Sequence, residues 1–162
     1  FKRSQFTDLF DLKAGQVIPA VSPVGIPAEH RSLRETVTQK LMRPRQRKSA
    51  EELFFDKSVA RPLALSDRNR LPFELVRLAP SAMNRQPWRI VREGKRFHFY
   101  CTGEKKKVDN GAIDLPRLDM GIAMCHFDIG ARSLGWQGEW VSQDPWLAGV
   151  PRGLDYRFSF AM

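Results

Sequence analysis

Long apolar runs are missing from this 162-residue chain, and none is long enough to cross a bilayer as a helix. No membrane partner is therefore expected. Cysteine is scarce: Cys101 and Cys125 stand at a spacing that matches no zinc or redox pair. Both are expected to be reduced, buried thiols of a cytoplasmic protein. Histidine is scarce too. His30, His98 and His126 lie far apart, so no metal site is expected from them. No Ser-His-Asp or Cys-His arrangement is recognisable. No zinc-finger or ribonucleoprotein motif accompanies the basic charge, which leaves a nucleic-acid-binding module as the least favoured class.

What the chain does hold is core material and positive charge. Hydrophobic residues make up 42%, with eleven Phe and four Trp, enough for one ordinary globular core. The net charge is +9. Much of it falls between His30 and Lys48, in Arg31, Arg34, Lys40, Arg43, Arg45, Arg47 and Lys48; Lys105, Lys106 and Lys107 form a second run. A solvated surface accounts for the lysine run. The first cluster suits either a solvated surface or a phosphorylated ligand. Phe1 is not Met, and the opening residues read as an internal position of a longer gene product.

Periodicity and punctuation give the elements. Residues 17–24 are apolar but carry Pro19 and Pro23, so they form an edge strand at best. Ser32 with Glu35 is a capping-box pattern that opens a helix carrying Leu33, Val37 and Leu41 on one face, ended by Pro44. A second box, Ser49 with Glu52, opens a short helix carrying Leu53, Phe54 and Phe55. Residues 56–65, with Pro62, read as a linker. Ser66 or Asn69 caps the next helix, which is lined by Leu71, Leu75 and Leu78; Pro72 in the first turn favours the later cap, and Pro80 ends the helix.

A hairpin follows, residues 88–92 and 96–101 about Glu93-Gly94-Lys95, with Phe97 and Phe99 on one face and His98 and Tyr100 on the other. Residues 102–115 are polar and expected to form a mobile loop. Asp114 or Pro116 opens a helix to Leu134 whose apolar residues cover nearly every side, as in a buried helix. Gly121 and Gly130 inside it imply close packing against a backbone or a flat ligand. Gly135 takes the left-handed position after the helix. Short strands are expected near residues 136–141 and 156–160. The fold class is α+β, with helices packed on a small antiparallel sheet.

One stretch carries chemistry: Pro80-Ser81-Ala82-Met83-Asn84-Arg85-Gln86-Pro87-Trp88. It is a helix end, a tight polar loop and a strand start. Small Ser81 and Ala82 admit a close backbone approach, and Asn84 offers both a donor and an acceptor. That combination suits the edge of a heteroaromatic ring. On chemistry alone an ordinary connection between helix and strand is the favoured reading.

The string Pro80-Ser81-Ala82-x-Asn84-x-Gln86-Pro87-Trp88 resembles the flavin-contacting loop of the nitroreductase family. Asp119-x-Gly121-Ile122-Ala123-Met124-x-His126-Phe127, followed by Leu134-Gly135-Trp136-x-Gly138, resembles the family's long central helix and the turn after it. Residues 19–28 resemble the segment that closes a nitroreductase domain. The subfamily most similar is the Thermotoga type, in which one chain carries two tandem halves. The resemblance implies that residues 1–56 finish a first nitroreductase-like half and residues 57–162 form the second.

It further implies an FMN-dependent oxidoreductase that moves electrons from NAD(P)H through the flavin to a small organic acceptor, with the ring tuned by the protein rather than attacked by a side chain. Pro80, Ser81, Ala82, Asn84 and Gln86 would line the flavin, and Arg45 and Arg47 would hold its phosphate, since a guanidinium fork matches a phosphate. The family's N-terminal Arg-x-Ser-x-Arg element and the glycine pair before Phe1 are not in these residues. That departure implies that this chain alone binds FMN poorly or not at all, and that it self-associates through uncovered apolar surface. It also keeps open a flavin-binding or non-catalytic remnant as the alternative.

Overall fold

The computed structural model describes residues 9–13, 15–18, 21, 24–26, 37, 45–103 and 114–162. Among them the elements run α1 (Ala50–Leu53), β1 (Phe54–Asp56), β2 (Ser58–Pro62), α2 (Arg70–Leu78), a 3-10 turn (Ala82–Asn84), β3 (Trp88–Glu93), β4 (Arg96–Thr102), α3 (Leu115–Ser133), β5 (Glu139–Val141) and β6 (Leu154–Ala161). The helix expected from residue 32 to residue 44 lies outside the described residues apart from Val37, which is helical. The loop expected at 102–115 lies outside them from 104 to 113. Of the edge strand expected at 17–24, the described Val17, Val21 and Val24 belong to no strand.

The architecture is α+β: helices on one face of a six-stranded sheet in the order β2-β1-β3-β4-β6-β5. The β3–β4 hairpin forms as its sequence dictates, with Glu93 opposite Arg96 across a turn whose Gly94 takes φ +59°. The sheet is antiparallel except at one seam, where β1 runs parallel to β3 with Phe54 opposite Ile90. The small antiparallel sheet expected from sequence thus forms with one parallel seam. The intervening β2 and α2 form the long crossover that a parallel pair requires.

Two further expectations fail nearby. Phe54 and Phe55 leave the short helix and enter β1, and the stretch expected as a linker contains β2. Pro62 ends that strand on the sheet's edge, where its missing N–H is harmless. The capping box at Ser49 does form, its N–H donating to the Glu52 carboxylate at 2.9 Å.

The core lies between sheet and helices. Phe127 of α3 meets Phe73, Phe97, Phe99 and Phe160 at ring-centroid distances of 5.6, 5.2, 5.3 and 5.5 Å. Trp136 stacks on Phe97 at 5.5 Å. Burying one such phenyl ring contributes about 1.5–3 kcal/mol before the specific ring contacts are counted. α2 starts after Asn69, as Pro72 in its first turn requires, but its buried face is Pro72, Phe73 and Val76. Leu71 and Leu78 are exposed, so the leucine stripe does not face the core; the bulky Phe73 takes that side instead.

α3 begins at the Asp114 cap, whose carboxylate accepts from the Arg117 N–H at 3.1 Å. It ends as expected. Gly135 takes φ +74°, and the N–H groups of Gly135 and Trp136 return to the carbonyls of Arg132 and Ala131. The helix is not buried all round. Met120, Ala123, Phe127, Gly130 and Ala131 face the core, whereas Leu115, Gly121, Cys125 and Ile129 are exposed. An apolar helix can therefore have one open side. Cys101 is buried, but Cys125 on that open side is not.

Candidate functional site

The 80–87 loop joins the C-terminus of α2 to β3, and its backbone is unusual. Met83, Asn84 and Gln86 all have positive φ, at +52°, +54° and +48°. Left-handed non-glycine residues each cost on the order of 1 kcal/mol, asparagine least, so surrounding bonds must hold the loop. Ser81 provides two of them: its hydroxyl oxygen accepts from the Gln86 N–H at 2.8 Å and its carbonyl from the Asn84 N–H at 3.0 Å. From α3, Asp119 accepts the Ala82 N–H at 2.9 Å. Burial is the main influence on that carboxyl and pushes its pKa up, against the Ala82 bond and the Arg85 charge, which pull it down.

The segment before α1 wraps the loop from the other side. The Asn84 amide donates to the Gln46 carbonyl at 2.7 Å, and its oxygen accepts from Arg47 at 3.1 Å. Gln86 is buried; its side-chain oxygen accepts the Lys48 N–H at 2.8 Å, and its amide donates to the Gln46 carbonyl at 3.2 Å. Arg47 also sends Nε and Nη2 to the Leu78 carbonyl, at 3.3 and 3.2 Å, at the negative end of α2.

The structure therefore brings Arg47 together with Asn84 and Gln86, across 37 and 39 positions of sequence. Ser81 and Ala82 form the loop's interior, Pro80 is exposed at its entrance, and Arg45 is exposed nearby in the chain. Asp119, Gln46, Lys48, Arg85 and Arg89 were not expected as site residues from sequence, although Lys48 stood in the basic cluster and Asp119 headed the helix motif.

The loop's surroundings are positive. Arg89 is half-buried and donates to the Gln86 carbonyl at 3.2 Å. Burial, then the Arg89 charge, pushes the Lys48 pKa down, with only Glu52 opposing. Cations crowded closely enough to disfavour one another mark a place that accepts an anion. The positive surround suits an anion in charge, while Arg47 and Arg89 bond carbonyls of the protein and Arg47 also bonds Asn84. The Asn84 and Gln86 side-chain amides are likewise bonded to the 46–48 segment.

The polar loop of this α+β layer is thus locked between the longest helix among the described residues and an upstream basic segment. Residues 3–131 match the family described as "Putative TM nitroreductase", and the chain belongs to that family. Among solved structures it is similar to the crystal structure of a "putative nitroreductase" from Thermotoga maritima, at 20% identity and a TM-score of 0.48. The match covers 72% of this chain and 42% of that one, so the chain spans less than half of that protein's length. A search of curated proteins found no match.

Proposed function

We propose that this chain is the later part of a tandem-half, FMN-dependent oxidoreductase. Residues 1–56 would complete a first half and residues 57–162 form the second. The observation that carries the reading is the left-handed 80–87 loop, held by Asp119, Gln46 and Arg47 within a cluster of cations. Strained backbone that the surroundings over-determine is a mark of ligand sites. Arg45, Arg47 and Lys48 would hold the phosphate, while Pro80, Ser81, Ala82, Asn84 and Gln86 would border the ring. Bound FMN would supply two-electron transfer between NAD(P)H and a small organic acceptor. The protein's own part would be to orient the ring and donate hydrogen bonds to it.

A second reading has one observation in its favour. Arg47 and Asn84 already bond to each other, which suits a loop kept for structure in a protein that binds flavin without turnover, or not at all. Titrating FMN and riboflavin into the 162-residue chain separates the two. Oxidoreductase function predicts weak but saturable FMN binding, stronger than riboflavin by about tenfold for one charged phosphate contact. It also predicts loss of that preference in Arg45→Ala and Arg47→Ala, and flavin-dependent NAD(P)H oxidation. FMN binding without NADH or NADPH oxidation selects the second reading. Equal affinity for both flavins overturns the phosphate assignment.

A further inference from the structure

Gln86 stands at the centre of the contact between the 80–87 loop and the segment before α1. It is 3% exposed, and both ends of its side-chain amide are engaged. At one end Oε1 accepts the Lys48 N–H at 2.8 Å. A backbone N–H can only donate, so this bond fixes which way the amide lies. Nε2 faces the Gln46 carbonyl, the Asn84 carbonyl and Asn84 Oδ1, at 3.2, 3.2 and 3.1 Å. Three acceptors already compete for its two hydrogens.

The orientation passes on to Asn84. Its Oδ1 accepts from Gln86 and from Arg47 Nη1, so Nδ2 is the end that reaches the Gln46 carbonyl, at 2.7 Å. The Gln46–Lys48 backbone thus shows the loop a carbonyl and then an N–H, and two side-chain amides grip the pair. Gln86 has no hydrogen left for a bound ring. What it does hold is the course of the chain on which Arg45 and Lys48 stand. Just downstream, the Ser49 capping box leads into α1, whose Leu53 is fully buried.

The charge lies on the same segment. Arg45 is exposed and Lys48 half-buried. Burial, then the Arg89 charge, disfavours the Lys48 cation, with only Glu52 favouring it. An anion beside Lys48 relieves that crowding. Holding the backbone in advance spares the ordering cost that a loose segment would meet on binding.

We propose that Gln86 is a positioning residue: by holding the Gln46–Lys48 backbone it sets where Arg45 and Lys48 stand for the phosphate of the flavin, and it does not serve the ring. The identity of the anion rests on the flavin reading above; the hold on the backbone does not. The test compares the full 162-residue chain with Gln86→Met, which keeps the length of the side chain without its amide. Gln86→Met should speed hydrogen exchange at the Lys48 N–H about tenfold or more. It should weaken FMN about tenfold and riboflavin by less than about twofold, closing the preference for the phosphate. Equal losses for both flavins would assign Gln86 to the ring and overturn the proposal, as would unchanged exchange at Lys48. Should Gln86→Met fail to fold, NMR of the wild-type chain decides. FMN and inorganic phosphate should both shift the Lys48 N–H and the Gln86 side-chain amide, and riboflavin neither; a riboflavin shift at Gln86 as large as that from FMN overturns the proposal. Binding of neither flavin sinks the flavin reading alone. The positioning role then stands if inorganic phosphate shifts Lys48 and falls if it does not.

Discussion

Gly130 of α3 sits so close to Pro72 of α2 that a Cβ built on it would lie 2.6 Å from the proline Cα. The obstacle is backbone, which cannot swing aside. Gly130→Ala should therefore destabilise the fold by about 1–3 kcal/mol, less the helix propensity gained. Gly121 on the same helix meets nothing within 4 Å, and Gly121→Ala should stabilise by up to about 1 kcal/mol. Urea unfolding midpoints that move in opposite directions check the pair.

Asp119 should make stability depend on pH. Burial raises its carboxyl pKa above the ordinary aspartate range. Its contribution is then fully present below the unfolded pKa and is lost as pH rises through the folded one. Asp119→Asn keeps an oxygen for the Ala82 N–H but cannot ionise. In urea melts the variant should gain on the wild type as pH rises above the ordinary aspartate range; a loss on raising the pH would contradict the assignment.

The open side of α3 should drive self-association. Leu115 and Ile129 are 49% and 54% exposed and lie on the side that carries Cys125. Replacing Ile129 with Glu puts a charge where an apolar contact would form. Dimer dissociation measured by sedimentation should weaken by about tenfold or more, in keeping with the burial of one isoleucine. An unchanged association constant would place the contact elsewhere.

Local chemistry made much of this fold readable. Gly94 between two aromatic-rich runs specifies the hairpin, and Asp114 and Gly135 mark both ends of α3, because each acts through neighbours a few positions away. β2 was hidden by its shortness and by Pro62, which is tolerated only because the strand lies on an edge. The buried side of α2 was misread because the Leu71, Leu75 and Leu78 stripe has good helical spacing, whereas tertiary packing chose Phe73. The loop at 80–86 stood out through family resemblance. Its anchors did not, since Gln46 and Asp119 come to Asn84 and Ala82 from 38 and 37 positions away. No local periodicity records such encounters.

Phe127 is ringed by aromatic neighbours from α2, β4 and β6 and by Trp136 and Trp140. In a close-packed interior, a ring so enclosed cannot turn about its own axis unless several others yield together. Its flipping rate is then no private property of one side chain. It measures how often α3 lifts from the sheet, and slow exchange between the two edges of that single ring would report the breathing of the whole core.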